Sequence, residues 1–331
     1  MTQFKIEEIT TLPFEGIFGS INFLSDGRLI RYYSGLHEIW DLQTGVLDFS
    51  LPGNVFLEHP DKKEVIVSNH EFIIIYDMIT QQTKKIRFHD GFVNDIIYIS
   101  PGIFASCSDD NTIKVWSDIT LQIIYEFTDE YLYTGNDDDD EIDTVERLLL
   151  LPDSRIASYS TDNTISIWNL KTFKLEKHIS INYEGGTIQK LKLIKLENGY
   201  GIMVKQTNRM SICDMNECIL TTSCYTEKII PYTRGKIIMS NSSGISIINI
   251  KDQKCDNIDL DQKGIVHIEL MNKNTLIICY MDKSIKIVDI EQRKVTQVLE
   301  GHIKQVWSTK RISPHKFVTV GFGNMIIVWN S

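Results

Sequence analysis

The densest set of titratable side chains in this sequence is acidic. Residues 129–146 hold Asp129, Glu130, Asp137, Asp138, Asp139, Asp140, Glu141, Asp143 and Glu146, with no Lys or Arg among them. Three kinds of chemistry could use such a run. Calcium capture needs oxygen ligands spaced about a glycine turn, and DDDDE lacks the spacing of an EF-hand loop. General acid–base catalysis needs two carboxylates held at a fixed separation, which a solvated polyanion does not provide. Steering of a basic partner, such as a Lys/Arg-rich tail, needs only charge density, and its signature is affinity that falls steeply with salt. Tyr131 and Tyr133 could add ring contacts to cations. The plain alternative is a solvated segment that binds nothing. No metal is expected here.

The other reactive residue types are scattered. His37, His59, His70, His178, His267 and His315 show no ligand spacing, so core or surface roles are expected for them. The cysteines at 107, 213, 218, 224, 255 and 279 never form CxxC, and their spacings match neither a zinc site nor a disulfide framework. They read as small hydrophobes in a reducing compartment, which makes the cytoplasm the expected location. No GxSxG elbow, HExxH, GxxxxGK[ST] or GxGxxG before a helix occurs. The GFG of Gly321–Gly323 falls in a strand turn and reads as a turn device. The expectation is a protein that is not an enzyme and carries no cofactor.

The charge balance narrows the partners. The 331 residues include 44 acidic and 34 basic side chains, a net charge of −10. Residues 129–146 carry nine of the acids, so 44 less 9 leaves 35 acidic against 34 basic residues elsewhere. The imbalance is local. A chain without a basic excess argues against nucleic-acid or anionic-membrane binding. Apolar runs such as RLLLLP from Arg147 are far too short to span a bilayer, and MTQFKIEEITTLPFEG lacks the basic-then-apolar order of a secretory signal.

The elements that must position any site are short strands. β-Branched and aromatic runs recur between Gly, Asn, Asp and Ser punctuation, with no helical period. The runs HEIWDL, FIIIYDM, NTIKVWSD, NTISIWNL, RMSICDM, GISIINI, SIKIVDI and NMIIVWN place an aromatic residue or its substitute at Trp40, Tyr76, Trp116, Trp168, Cys213, Ile248, Val288 and Trp329. The intervals are 36, 40, 52, 45, 35, 40 and 41 residues, eight copies at a period near forty. The last copy stops just after its third strand, while QFKIEEITTL is an unassigned extended segment of the missing size.

These repeats resemble the WD-repeat family of β-propellers, over essentially the whole chain. Gly301-His302 matches the family's Gly-His pair and Trp40-Asp41 its Trp-Asp; Tyr76-Asp77, Cys213-Asp214 and Val288-Asp289 keep only the acidic half. The resemblance implies one four-stranded blade per repeat. We therefore expect an all-β, single closed propeller over 1–331, with an acidic insertion at about 129–146. It should have eight blades, the N-terminal strand completing the last, with seven as the alternative. Closure would remove the open sheet edges that invite aggregation. No further domain is expected. In repeat three the resemblance implies a buried hydrogen-bond set of His89, Ser106, Asp110 and Trp116. Repeat four keeps Ser158, Asp162 and Trp168 without a His; repeat eight keeps His302, Thr319 and Trp329 but has Gly323 in place of the Asp.

The resemblance also implies which residues reach the top face. They are Phe18, Tyr33, Asn69, Phe92, Asn94, Asp109, Glu146, Thr161, Gln206, Val266, Met281, Gln305, Trp307 and Phe322. The large side chains Phe18, Tyr33, Met281, Trp307 and Phe322 come from blades seven, eight and one, and an exposed apolar cluster of that kind marks a binding site. None of these positions is an arginine, which argues against a phosphopeptide. The expected function is non-catalytic protein or peptide capture by a monomer or a subunit of a hetero-complex. A purely structural subunit, or an enzyme or small-ligand binder using the central channel, are the competing classes.

Overall fold

The computed structural model describes residues 3–13, 21–128, 144–181, 188–197, 199–206, 209–223, 229–241, 244–260 and 264–331. Among these, all regular structure is β, in eight four-stranded antiparallel sheets. Seven sheets are built from four consecutive strands. The eighth takes Val306–Ser313, Lys316–Gly321 and Met325–Asn330, and its fourth strand is Lys5–Thr11 from the other end of the chain. Eight blades with an N-terminal strand in the last is the expected arrangement, and the seven-blade alternative is excluded.

The burial along each blade explains the repeat pattern. In blade three the second strand Ile103–Ser108 and third strand Thr112–Ser117 are buried along most of their length, while the fourth, Gln122–Thr128, is exposed at all but one position. Near-continuous apolar runs such as FIIIYD are what a strand covered on both faces requires. The residue that ends each third strand supplies core: Trp116 and Trp329 are among the largest fully buried side chains. The Asp that follows does different work. Asp77 Oδ1 accepts the backbone N–H groups of Ile79 and Thr80 at 2.8 and 2.9 Å, and Asp214 Oδ1 accepts those of Asn216 and Glu217 at 2.6 and 2.9 Å. These are Asx turns joining the third strand to the fourth. They explain why the acidic half of the signature persists where the Trp is gone: a core position accepts any hydrophobe of suitable size, but the turn needs an oxygen acceptor.

The chain divides into two compact units. One comprises 1–50, 194–200 and 223–331, and the other 51–193 and 201–222. In the first, Phe4 packs with Ile277, Ile285, Ile287, Phe317 and Trp329, joining blades seven and eight, and Leu12 packs with Leu29, Trp40, Val318 and Val328, joining blades eight and one. In the second, Ile66, Ile73, Phe104 and Trp116 join blades two and three, and Val115, Phe127, Ile156 and Trp168 join blades three and four. The first strand of blade four starts at Val145, so Glu146 belongs to that strand rather than to the insertion before it.

One expectation about cysteine is corrected. Cys213 and Cys218 form a disulfide, their Cα atoms 3.9 Å apart, while Cys107 and Cys279 are buried thiols. The hairpin turn, closed by Asp214 N to Glu217 O at 2.9 Å, brings the two thiols together. A spacing rule for multi-loop frameworks does not see so local a pair.

Candidate functional site

Blades three, four, seven and eight fix their candidate surface residues with one recurrent hydrogen bond. The residue before the tight turn of the second and third strands donates its N–H to a carbonyl just before the first strand. The pairs are Asp109 to Phe92 (3.0 Å), Thr161 to Thr144 (3.0 Å), Met281 to Gly264 (2.9 Å) and Phe322 to Gln305 (2.9 Å). Residues 17 apart in sequence thus share one end of a blade, the end expected to be the top face.

Below that end, blade three contains the complete expected network. Trp116 Nε1 donates to Ser106 Oγ at 3.2 Å, Ser106 Oγ meets His89 Nε2 at 2.8 Å, and His89 Nδ1 meets Asp110 Oδ2 at 2.9 Å. Asp110 also accepts the N–H of Asp90 at 2.9 Å and of Thr112 at 3.0 Å. The carboxylate can only accept, so it is Nδ1 of His89 that carries the proton facing it. Burial would raise the carboxyl pKa, but the hydrogen bonds from His89 and Thr112 outweigh it and hold Asp110 well below the usual carboxylate range.

Blade eight has the same chain with its end missing. Trp329 Nε1 donates to Thr319 Oγ1 at 2.7 Å, which meets His302 Nε2 at 2.8 Å. His302 Nδ1 is buried with no hydrogen-bond partner, and burial lowers the ring's pKa to about 4. Gly323 holds the acid's place with φ of 85°, a conformation an Asp would adopt only under strain. At Gly321, an added Cβ would come within 2.6 Å of His302 Nδ1, so the ring and the glycine fit only each other.

The structure distributes the sequence-predicted residues between the units. In the first, Tyr33, Met281 and Phe322 are 39%, 63% and 40% exposed. Tyr33 stands over the buried Arg31 guanidinium at 4.3 Å, and Arg31 pairs with Glu38 at 3.0 Å. Gln305 is half-buried; Trp307 is half-buried and packs against the core cluster of Leu12, Leu29 and Trp40. In the second unit Phe92 is exposed, beside Asn94, whose amide donates to Asp109 Oδ1 at 2.6 Å and to Val145 O at 3.1 Å. Asp109 and Asn94 are thus engaged with each other and with blade four. Gln206 is almost fully buried and donates to Asn163 Oδ1 at 3.0 Å. Phe18 lies outside the described residues, as do Asp137, Asp138, Asp139, Asp140, Glu141 and Asp143.

Sequence reasoning missed one charged cluster, at the other end of blades two and three. His59 Nε2 meets Asp118 Oδ2 at 3.1 Å, Lys62 Nζ bonds the same oxygen, and Lys62 lies 3.7 Å from Glu64. Tyr98 of blade three also donates to Asp61 of blade two at 2.8 Å. Burial pushes the Asp118 carboxyl up, but the hydrogen bonds from Lys62 and His59 win and its pKa is lowered. His59, Glu64 and Asp118 place ligand atoms within 4.8 Å of one another, close enough for a metal. The donor set does not fit one. His59 Nδ1 accepts the N–H of Asp61 at 3.0 Å and of Lys62 at 3.1 Å, so the ring proton sits on Nε2, the nitrogen a metal would need, and the Lys62 ammonium already supplies the cation. This is an inter-blade clamp joining residues 59 positions apart, for which a single sequence carries no signal. Asp118→Ala leaves the buried His59 N–H without an acceptor and is expected to cost about 1–3 kcal/mol. A double-mutant cycle with His59→Ala should recover a coupling of about 0.5–3 kcal/mol; additive losses would show that no clamp exists.

The comparisons with known proteins agree with this architecture. The model described as "WD domain, G-beta repeat" (WD40) matches residues 80–117, the stretch that ends with the Trp116 strand of blade three. No curated protein matches the sequence. Among solved structures, the crystal structure of the computationally designed Ika8 protein is similar, with a TM-score of 0.65 and 16% identity over 97% of this chain and 99% of that one. That likeness is one of fold. With eight four-stranded blades, and a matched WD repeat holding a complete hydrogen-bond network in blade three, the chain is a β-propeller that carries a WD repeat, a fold that typically mediates protein–protein interaction.

Proposed function

We propose that this propeller is a non-catalytic interaction platform that captures a partner protein or peptide on the turn-bearing end of blades seven, eight and one. The observation that carries the reading is the exposure of Met281, Phe322 and Tyr33 on three successive blades joined by continuous core. Large exposed side chains on a rigid frame lose little conformational freedom on binding, which suits them as anchors. Trp307 supports them from below and is a poor probe, because removing it would also disturb packing. It works as a monomer or within a hetero-complex.

A Met281→Ser/Phe322→Ser variant tests the reading. Capture of the partner, measured by affinity purification against wild type, should fall by at least about tenfold, since truncated anchors typically cost 2 kcal/mol or more. The melting temperature should stay within a few degrees. Unchanged capture with full occupancy would sink the proposal. A basic partner is the second element of the reading, supported by the acidic composition of residues 129–146. With residues 134–143 deleted, the salt dependence of binding should flatten.

A further inference from the structure

The junctions between successive blades differ at the end opposite the proposed surface: the one between blades seven and eight keeps a cavity of about 210 Å³ edged by Asn272, Asp289, Thr296 and His315, and the one between blades three and four a cavity with a mostly apolar lining. Register aligns the positions. Trp116 pairs with Phe104 and Phe104 with Tyr98 in blade three; Trp168 pairs with Ile156 and Ile156 with Leu150 in blade four. Leu150 therefore occupies the place of Tyr98, and Leu170, two residues past Trp168, the place of Asp118. Ile99 follows Tyr98 as His59 follows Glu58. Between blades two and three these places hold the polar clamp of His59, Asp118 and Tyr98. Between blades seven and eight the same place holds Arg311, which donates to Met271 O at 2.7 Å. Between blades three and four they hold Ile99, Leu170 and Leu150. Ser100 and Ser154 complete the lining there, and a cavity of about 370 Å³ remains.

A second substitution enlarges the apolar mouth. In blades three, four and seven the fourth strand carries a bulge at the same point. The extra residue is Glu176 in blade four and Thr296 in blade seven, and both spend their polar groups locally: Glu176 accepts from Asn169 at 2.6 Å, and Thr296 donates to Ile287 O at 3.1 Å. In blade three it is Ile124, which lines the cavity and is 48% exposed. Bulges re-aim side chains, and here the side chain re-aimed is apolar. Leu150 is 36% exposed at the same mouth, and Ile123 and Tyr125 on the bulged strand are 42% and 36% exposed. The one charged side chain in the lining is Lys171, whose ammonium has no acidic partner among the described residues.

We propose that this cavity between blades three and four is a second binding site, and that it takes a partner segment presenting a large apolar residue next to an acidic one. The apolar residue fills the cavity over Ile99, Leu170 and Phe173, and the carboxylate meets Lys171. A mostly apolar lining with a few polar residues, here Ser100, Ser154 and Lys171, is the usual composition of a ligand pocket. The flanking Ile123 and Tyr125 favour a peptide over a small amphiphile, because a molecule of the cavity's own size would leave them wet.

The test is selection of a displayed library of random dodecapeptides against the full chain. Selected peptides should share a large apolar residue flanked by Asp or Glu, and their affinity should fall at least about tenfold in Ile124→Asp and in Lys171→Glu. The Phe322→Ser variant should bind them as wild type does. Ile124 and Lys171 are both exposed, and Lys171→Glu keeps the test decisive even if Ile124→Asp melts early. Absence of a consensus, or a consensus indifferent to both variants, overturns the proposal. Two other results also overturn it by assigning a different occupant. One is Ile124-dependent binding of decanoate without peptide selection; the other is a dimer in sedimentation that Ile124→Asp dissociates.

Discussion

Phe4→Ala should destabilise the protein by about 3–5 kcal/mol, although Phe4 lies at the extreme N-terminal end of the described chain. Its ring is 5% exposed and meets Phe317 edge-on at 5.0 Å, within a core shared by blades seven and eight. Its backbone is held at both groups by one side chain: Phe4 N–H donates to Gln297 Oε1 at 2.9 Å, and Gln297 Nε2 donates to Phe4 O at 2.7 Å. At the other end of the strand Leu12 is 1% exposed and donates its N–H to Asn324 O at 3.1 Å. Against a total stability of about 5–15 kcal/mol, losing Phe4 alone is severe. Deleting residues 1–12 removes both anchors and strips the partner from Met325–Asn330, exposing an apolar strand edge. That deletion should yield aggregated protein, whereas Phe4→Ala should fold with a lowered midpoint in urea. A soluble deletion variant with wild-type melting would show that the strand is dispensable.

The second large effect is acid sensitivity from His302. Its folded pKa is lowered to about 4 against an ordinary 6.5, because burial disfavours the cation and no acid sits at Nδ1. Between those values the unfolded chain takes up a proton that the folded one refuses. Stability is therefore lost as pH falls from about 6.5 towards 4, by at most about 3.5 kcal/mol at about 1.4 kcal/mol per pH unit. Blade three should behave in the opposite way. Asp110 has a lowered pKa, so its contribution is present at pH 4–6 and is lost only in stronger acid. Urea unfolding of wild type and His302→Gln at pH 7.5, 5.5 and 4.5 separates this effect from the titration of carboxylates common to both proteins. The variant should start less stable, through its altered bond to Thr319, but lose markedly less on acidification. Parallel pH profiles would rule out His302 as the source.

The fold was legible because a propeller repeats one local rule. Trp40, Trp116, Trp168 and Trp329 repeat at a fixed period because each closes the core of a blade, and Asp41, Asp77 and Asp214 persist because each caps a turn with its own carboxylate. Both are short-range requirements, so both leave periodic marks. The N-terminal strand was found by the same arithmetic, as a spare strand matching a missing one. The candidate surface was legible in part. Tyr33, Phe92, Met281 and Phe322 are exposed, but Gln206 is almost fully buried and Trp307 is half given over to packing. A position in a repeat says where Cα stands; burial of the side chain depends on what the adjoining blade places beside it.

Blade count follows from the repeat arithmetic of the sequence, and the four strands of each blade and the internal network of blade three follow from its resemblance to the WD-repeat family, because each joins residues within one repeat or counts repeats. Contacts between blades were decided only in three dimensions. The His59–Asp118 clamp and the cavity at Leu150 and Leu170 depend on an element of one repeat meeting an element of the next in space. Equivalent positions in successive blades share a backbone but not a neighbour. Tyr98, Leu150 and Arg311 stand at one and the same place in three blades, and the facing blade decides whether that place becomes a polar clamp, a cavity or a hydrogen bond to a carbonyl.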